Sequence, residues 1–454
     1  MGCCCYCLCP FLLISNLFLY WILFPHTETY TKFVVVLLCA TLASFRNERS
    51  NKLSIFEIGS ILIIFPCLGI FFNFNDFRSV SLATLISTFS IGLIVARRVT
   101  IKISKDLEDA LTPCEIKIFC QIIFAILYSS LLCEFDSHKA NASCPSNILV
   151  RILQILFTGL PLVCGSVFLR PSRSSKILYS TLIGGLVSVY IRIFVQINNE
   201  PIRWLLKFLI KNETRIFLLK FWATLFVLGL FFCYLSSTRV FVLPQPVARK
   251  FFHLIAIPVF LSGLKNDPEF LFFLSACCLW VFIVLELIRL KDPSFIGPLI
   301  DYLFESLRNE FDQGLIVRTH IYLLTGFSAS LWMAPSFHSM HLCTISGIVS
   351  IGIGDTMAAL VGTYIGKHKW PNSKKSLEGT LAAVISQFIC TILIGKYLNI
   401  PSDYLSLIIL SVASSILEAT LGSIDNLVLP LYFNILCILM GSQNPLRTFL
   451  FTSN

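Results

Sequence analysis

The chain has 454 residues, 56% of them hydrophobic and 13% charged, against about 25% charged in an ordinary soluble domain. With a mean hydropathy of +0.81, a soluble globular fold is excluded, because its interior could not hide that much apolar surface; the bilayer is the natural solvent. The net charge of +10 reads as an excess in cytoplasmic loops that sets orientation, and not as nucleic-acid binding, since no basic stripe with interleaved aromatics is found.

In chain order, the N-terminus is Met1-Gly2-Cys3-Cys4-Cys5-Tyr6-Cys7-Leu8-Cys9. Cys4 and Cys7 form a single C-x-x-C with no second pair and no nearby His, which does not make a zinc site; a membrane-proximal Cys run suits palmitoylation. No small-residue cleavage site follows Phe11–Phe24, so this run reads as a retained anchor. Most other cysteines, such as Cys120, Cys164, Cys233, Cys277 and Cys278, lie in apolar runs and behave as small hydrophobes.

Apolar runs then recur at the length a helix needs to cross the hydrocarbon core. Spans are expected near 11–24, 30–45, 53–72, 79–98, 116–133, 148–169, 178–197, 216–235, 251–262, 269–289, 317–333, 342–362, 380–398, 404–421 and 427–443. The expected fold is therefore an all-α, polytopic transmembrane bundle with about fifteen spans. Residues 1–235 form an N-terminal bundle with no assigned chemistry, 236–443 the membrane core that carries the chemistry, and 444–454 a short tail.

The loops at 46–52, 97–117 and 170–176 are basic, whereas those at 73–78 and 134–147 carry one positive residue each. The basic set is placed in the cytoplasm. The sequons Asn141-Ala142-Ser143 and Asn212-Glu213-Thr214 then fall on the lumenal side. The segment 198–215, with Arg203, Lys207, Lys211 and Arg215, runs against the scheme. Continuing the count puts 236–250, 290–316, 363–379 and 422–426 on one cytoplasmic face.

Four groups of residues could carry chemistry. Asp355 lies within an apolar span, and an acid at membrane depth is a functional candidate by default. Gly352 and Gly354 can open the helix just before it. Small residues at Ser346, Ser350, Gly354, Ala358, Gly362 and Gly366 form a seam for close approach of another helix. The loop from Gly366 to Thr380 combines cations, hydroxyls and Gly379 at the start of a helix, where free amides and adjacent lysines suit an anion; its spacing is not that of a Walker A loop. Arg249-Lys250-Phe251-Phe252-His253 marks the entry of a span. Finally, Asp301, Glu310, Asp312, Glu418 and Asp425 put carboxylates on the face of the lysine loop, a set that suits Mg²⁺ and a nucleotide. Glu286 is a further intramembrane acid without an assigned role. His338 and His341 lack a third ligand and fall on the other side.

These residues resemble a known family. Gly352-Ile353-Gly354-Asp355, Gly362, Gly366, Trp370-Pro371 and Lys374-Lys375-Ser376-Leu377-Glu378-Gly379-Thr380 look like the signature of dolichol kinases, and more loosely that of phytol and other polyprenol kinases. Lys250, His253 and Asp425-Asn426 also fit. The resemblance covers roughly 245–443. It implies CTP-dependent phosphorylation of dolichol at the cytoplasmic face of the endoplasmic reticulum, making the lipid carrier for N-glycosylation. It further implies catalytic roles for Asp355, Lys250 and His253. The CTP-contacting region would comprise Gly352, Gly354, Gly362, Gly366, Lys374, Lys375, Ser376, Glu378, Gly379 and Thr380. A divalent cation such as Mg²⁺ would be held among Asp355, Glu310, Asp312 and Asp425. Rival readings are a CTP-using lipid cytidylyltransferase, a transporter, for which no paired half-chain repeat is found, and an intramembrane aspartyl protease, which would leave the lysine loop unexplained.

Overall fold

In lipid a backbone has no water to bond with, so each spanning segment must satisfy its own amides and carbonyls, and a helix does this. A computed structural model describes residues 147–168, 175–197, 200–237, 245–292, 294, 296–305, 317–333, 342–371, 373–401, 403–421 and 425–439. The spans expected near 11–24, 30–45, 53–72, 79–98 and 116–133, the cysteine run and the tail 444–454 lie outside them.

The order is α1 Asn147–Phe168, α2 Ser175–Ile197, α3 Pro201–Ile210, α4 Glu213–Ser237, α5 Gln245–Asn266, α6 Pro268–Lys291, α7 Ile296–Glu305 and α8 Thr319–Trp332. Then follow α9 Leu342–Tyr364, α10 Leu377–Leu398, α11 Tyr404–Thr420 and α12 Asp425–Leu439. All of this secondary structure is helical, and no strand forms among the described residues. By length and composition α2, α6, α9 and α10 can cross a membrane, and α1 and α11 carry shorter apolar stretches. Residues 147–437 fall within one compact unit. The expected boundary at 235/236 falls inside the last turn of α4, and a contact crosses it: Phe232 stacks on Phe251 with ring centroids 3.8 Å apart.

The helix ends follow local chemistry. Asp267 caps α6 by accepting from Phe270 N at 2.9 Å, with Pro268 in the first turn. Asp403 caps α11 through Ser406 N at 2.6 Å. Asn399, in the left-handed region at φ 58°, closes α10, a conformation Asn tolerates better than most residues. The single residue Asp267 joins α5 to α6, and Arg215 of α4 pins it at 2.7 Å.

Helices α10 and α11 turn polar side chains inward and apolar ones outward. Leu381, Ile385, Ile389, Leu393 and Tyr397 form an exposed i, i+4 stripe on α10, while Thr380, Gln387 and Thr391 are buried. On α11, Leu405, Ile408, Val412 and Ile416 face out, and Ser411, Ser414, Ser415 and Glu418 face in. That reversal of the soluble pattern is what lipid selects, because an apolar exterior costs nothing there and interior hydroxyls join helices.

Two short helices were not anticipated. In α3, Ile202, Leu206 and Ile210 are exposed, while Trp204 and Phe208 pack against Phe273 of α6. Such an amphipathic helix lies along an interface and gives the basic segment 198–215 a structural role. The other, α7, is tied to α6 by Arg289, which pairs with Glu286 at 2.7 Å and Asp301 at 2.8 Å. Glu286 also accepts from Val317 N at 2.7 Å, so this intramembrane acid organises the chain around it. Asp292 accepts from Ser175 and Tyr179 of α2, both at 2.7 Å. Hydroxyl bonds from Ser294, Ser175 and Tyr179 hold its carboxyl well below the usual range.

Candidate active site

The site starts with an irregularity in α9. Ile348–Asp355 winds as a π-helix, wholly buried, before regular α-helix resumes at Thr356. Wide turns of this kind are rare and concentrate at functional positions. The glycines permit it. A β-carbon at Gly354 would fall 2.0 Å from Gln387 Nε2, and one at Gly352 would fall 2.8 Å from Ile257 Cγ1. Helices α10 and α5 therefore close directly on the widened turns. The expected small-residue seam is split by this change of winding. Ser346 meets Ser330 of α8 at 2.5 Å, whereas Gly354, Ala358, Gly362 and Gly366 meet α10 or its cap.

Asp355 ends the widened stretch and is 3% exposed. Lys250 Nζ donates to its Oδ2, and His253 Nε2 lies 3.6 Å from the same oxygen. Lys250 and His253 are three apart on α5 and so share a face; they are 7% and 1% exposed. His253 Nε2 also lies 3.1 Å from Asn426 Oδ1 on α12. A charge this deep persists only when paired, and here the pairing joins three helices.

A second pair stands beside the first. Lys375 Nζ is 2.6 Å from Glu418 Oε1 on α11 and also donates to the Glu418 carbonyl. Burial pulls the Lys375 pKa down, but the Glu418, Asp425 and Asp355 carboxylates outweigh it and hold the ammonium above the usual lysine value. Three carboxylates and two lysines thus act on one another at one end of the bundle. No group of three or more His, Cys, Asp or Glu side chains among the described residues converges closely enough to hold a metal unaided.

The loop between α9 and α10 is folded by its own motif. Lys369 and Ser376 form an isolated antiparallel bridge. Trp370 N donates to the Lys375 carbonyl at 3.0 Å, and Trp370 Nε1 to Thr380 Oγ1 at 2.9 Å. Glu378 accepts from the His368 amide at 3.1 Å and lies 2.7 Å from His368 Nδ1. Ser376 caps α10 by accepting from Gly379 N at 3.1 Å. A β-carbon at Gly366 would meet Ser376 Oγ at 2.4 Å, and one at Gly379 the Ala358 carbonyl at 2.7 Å. The expectation of free amides at this helix start is corrected in two positions. Gly379 N is taken by Ser376, and Leu377 N donates to the His368 carbonyl at 2.8 Å. What remains open to an anion is lysine charge, with Lys374 exposed.

Of the residues singled out from sequence, Asp355, Lys250, His253, Lys375 and Asp425 come together. Gly352, Gly354, Gly362, Gly366, Ser376, Glu378, Gly379 and Thr380 build the turns and packing that hold them. Glu310 and Asp312 lie outside the described residues. Asp301 serves the Arg289 pair instead. Sequence reading missed Asn426 as the partner of His253 and Glu418 as the partner of Lys375. The signal for Glu418 was available, since it is an acid inside an apolar run.

Fold and site together define a helical membrane protein with a buried charged centre at one end. Comparison with known proteins narrows this. The dolichol kinase family model matches residues 117–376, more than half of the chain, and the chain belongs to that family. It is 34% identical over 259 residues to a dolichol kinase of Homo sapiens, covering 53% of this chain and 48% of that protein. With the dolichol kinase EVAN of Arabidopsis thaliana the identity is 30% over 249 residues, 53% of this chain and 44% of the relative. A phytol kinase of Synechocystis sp. is 35% identical over 94 residues, 19% of this chain and 39% of that protein. The chain spans about half the length of the curated relatives it matches. No solved structure matches.

Proposed function

We propose that the chain phosphorylates dolichol to dolichyl phosphate with CTP as donor and Mg²⁺ as cofactor. The reaction is placed at the cytoplasmic face of the endoplasmic reticulum membrane, where the product serves as lipid carrier for protein N-glycosylation. The observation that carries the reading is the buried Lys250–Asp355–His253 cluster at one end of the bundle, in a chain whose relatives are described as dolichol kinases. The reading includes about fifteen spans in all and a catalytic core over 236–443.

A polyprenol cannot leave the bilayer and a nucleotide cannot enter it, so transfer has to occur at the interface. Phosphoryl transfer asks for positioning and charge neutralisation more than for covalent help. Lys375 and Lys374 bind phosphate oxygens in this scheme, and the loop from Gly362 to Thr380 holds Lys375 in place. Lys250 holds the Asp355 carboxylate in place through their ion pair, and Asp355 accepts the hydroxyl proton in this scheme. His253, fixed by Asn426, lines the same wall.

The donor set fits Mg²⁺. That ion is bound through one or two carboxylates together with substrate phosphates and water, not by an all-protein cage, and Asp355, Glu418 and Asp425 all act on Lys375. Asp355 and Asp425 would hold it, with Glu310 and Asp312 as further candidates. When bound, the ion supplies neutralisation of phosphate charge.

The test uses purified protein in liposomes with dolichol and labelled CTP. Label in the γ-phosphate should appear in the lipid, and label in the α-phosphate should not. Transfer of the α-label with the cytidine would instead make the chain a cytidylyltransferase.

A further inference from the structure

Deeper along α10 and α11 than the lysine loop lie two buried polar side chains that the proposed reaction leaves unused. Gln387 of α10 is 1% exposed and Ser414 of α11 is 0% exposed. Gln387 Nε2 donates to Ser415 Oγ at 3.1 Å, but Gln387 Oε1 and Ser414 Oγ have no hydrogen-bond partner. The orphaned amide end is not an artefact of orientation. Turning the amide over would let Oε1 accept from Ser415 and would orphan Nε2 instead. Leaving a buried polar atom unmade is costly, and each such atom asks for a partner or another physical reason.

Position says what. Ser414 is four residues before Glu418 on the same buried face of α11, about 6 Å deeper along the helix. Gln387 is ten residues into α10, about 15 Å from the lysine loop. Its side chain presses on Gly354, the residue before Asp355. Both residues thus lie deeper along their helices than the Lys375–Glu418 pair, and the lysines stand on the loop side. A phosphate donor reaches the centre from water. A membrane alcohol has its tail in lipid and can reach it only from below.

We infer that Gln387 and Ser414 form the subsite that receives the hydroxyl of the membrane alcohol and turns it toward Asp355. This rests on the kinase reading above. An alcohol O–H both donates and accepts, which matches an amide oxygen on α10 and a serine hydroxyl on the adjoining α11, the two helices being joined by the Gln387–Ser415 bond. No charge is offered, so the subsite takes the neutral alcohol and does not hold the phosphorylated product, which leaves toward the aqueous end.

The experiment is steady-state kinetics of the full chain in liposomes, with a polyprenol and CTP varied separately, for wild type, Ser414→Ala and Gln387→Met. Thermal stability is measured in parallel. The expected result is a KM for the polyprenol raised about tenfold, the worth of one hydrogen bond, with the KM for CTP unchanged. Ser414→Ala should be as stable as wild type or more so, because it deletes an orphaned group. Unchanged polyprenol KM in both variants overturns the subsite, as does a loss confined to CTP. A stability loss in Ser414→Ala with unchanged kinetics identifies a structural water there and also overturns it. If Gln387→Met folds poorly, Ser414→Ala decides alone. A wild-type chain that phosphorylates no membrane alcohol sinks the kinase reading itself, and the subsite with it, so the two failures are told apart.

Discussion

Replacing Lys250 with Met should destabilise the chain by about 3–5 kcal/mol, the cost of leaving a buried charge without its partner. The structure sets where in that range the loss falls. Lys250 and Asp355 are 7% and 3% exposed, so water screens the abandoned carboxylate poorly. His253 lies 3.6 Å from the same Asp355 oxygen and stays beside it, which favours the lower end, about 3 kcal/mol. Asp355→Asn alone should cost a comparable amount, because it strands the ammonium. The double variant Lys250→Met/Asp355→Asn removes both charges and should lose well under the sum, with a coupling of at least about 2 kcal/mol. The assay is the unfolding midpoint of the purified protein in mixed micelles for the four members of the cycle. Costs that add to within about 0.5 kcal/mol would refute the pairing.

Three further outcomes follow from the same geometry. Gly354→Ala places a β-carbon 2.0 Å from Gln387 Nε2 and should cost about 1–3 kcal/mol by overpacking; the loss should be partly relieved by Gln387→Ala in the same unfolding assay. Ser376→Ala removes the cap of α10 and should cost about 1 kcal/mol, with CTP affinity falling because Lys375 is the adjacent residue. For pH, Lys375 is held above the usual lysine value by Glu418, Asp425 and Asp355. A raised lysine pKa contributes stability that is full below the unfolded value of about 10.4 and is lost only above it. CTP binding followed by titration should therefore show no Lys375-dependent loss between about pH 7 and 10, and a loss near neutrality would contradict the Glu418 pairing.

Much of the site was legible because charge in an apolar run is conspicuous. Asp355 stood out on that ground; Lys250 and His253 were read as the entry of a span and joined to it through the resemblance, and the structure brings all three together. Other parts were hidden for physical reasons. Lys250 made α5 look short, since a cation normally ends a span; here it points inward to Asp355, and the helix runs from Gln245 to Asn266. The seam Ser346 to Gly366 promised one partner helix, but the π-helix changes the winding midway, and a fixed i+4 count cannot show that. Gln387 and Asn426 are ordinary polar residues whose importance depends on what stands opposite them, which no spacing within one helix reveals. The same holds for Asp292, whose partners Ser175 and Tyr179 lie more than a hundred residues away. The lysine loop was read as a phosphate cradle, and spacing alone did not show that its motif also folds the loop that presents Lys375.

The most direct test is expression in cells that lack dolichol kinase, with dolichyl phosphate measured in their membranes. The wild-type chain should restore dolichyl phosphate, and Asp355→Asn at equal abundance should not. A well-expressed wild-type chain that leaves dolichyl phosphate at the deficient level, or an Asp355→Asn variant that restores it fully, would contradict the account.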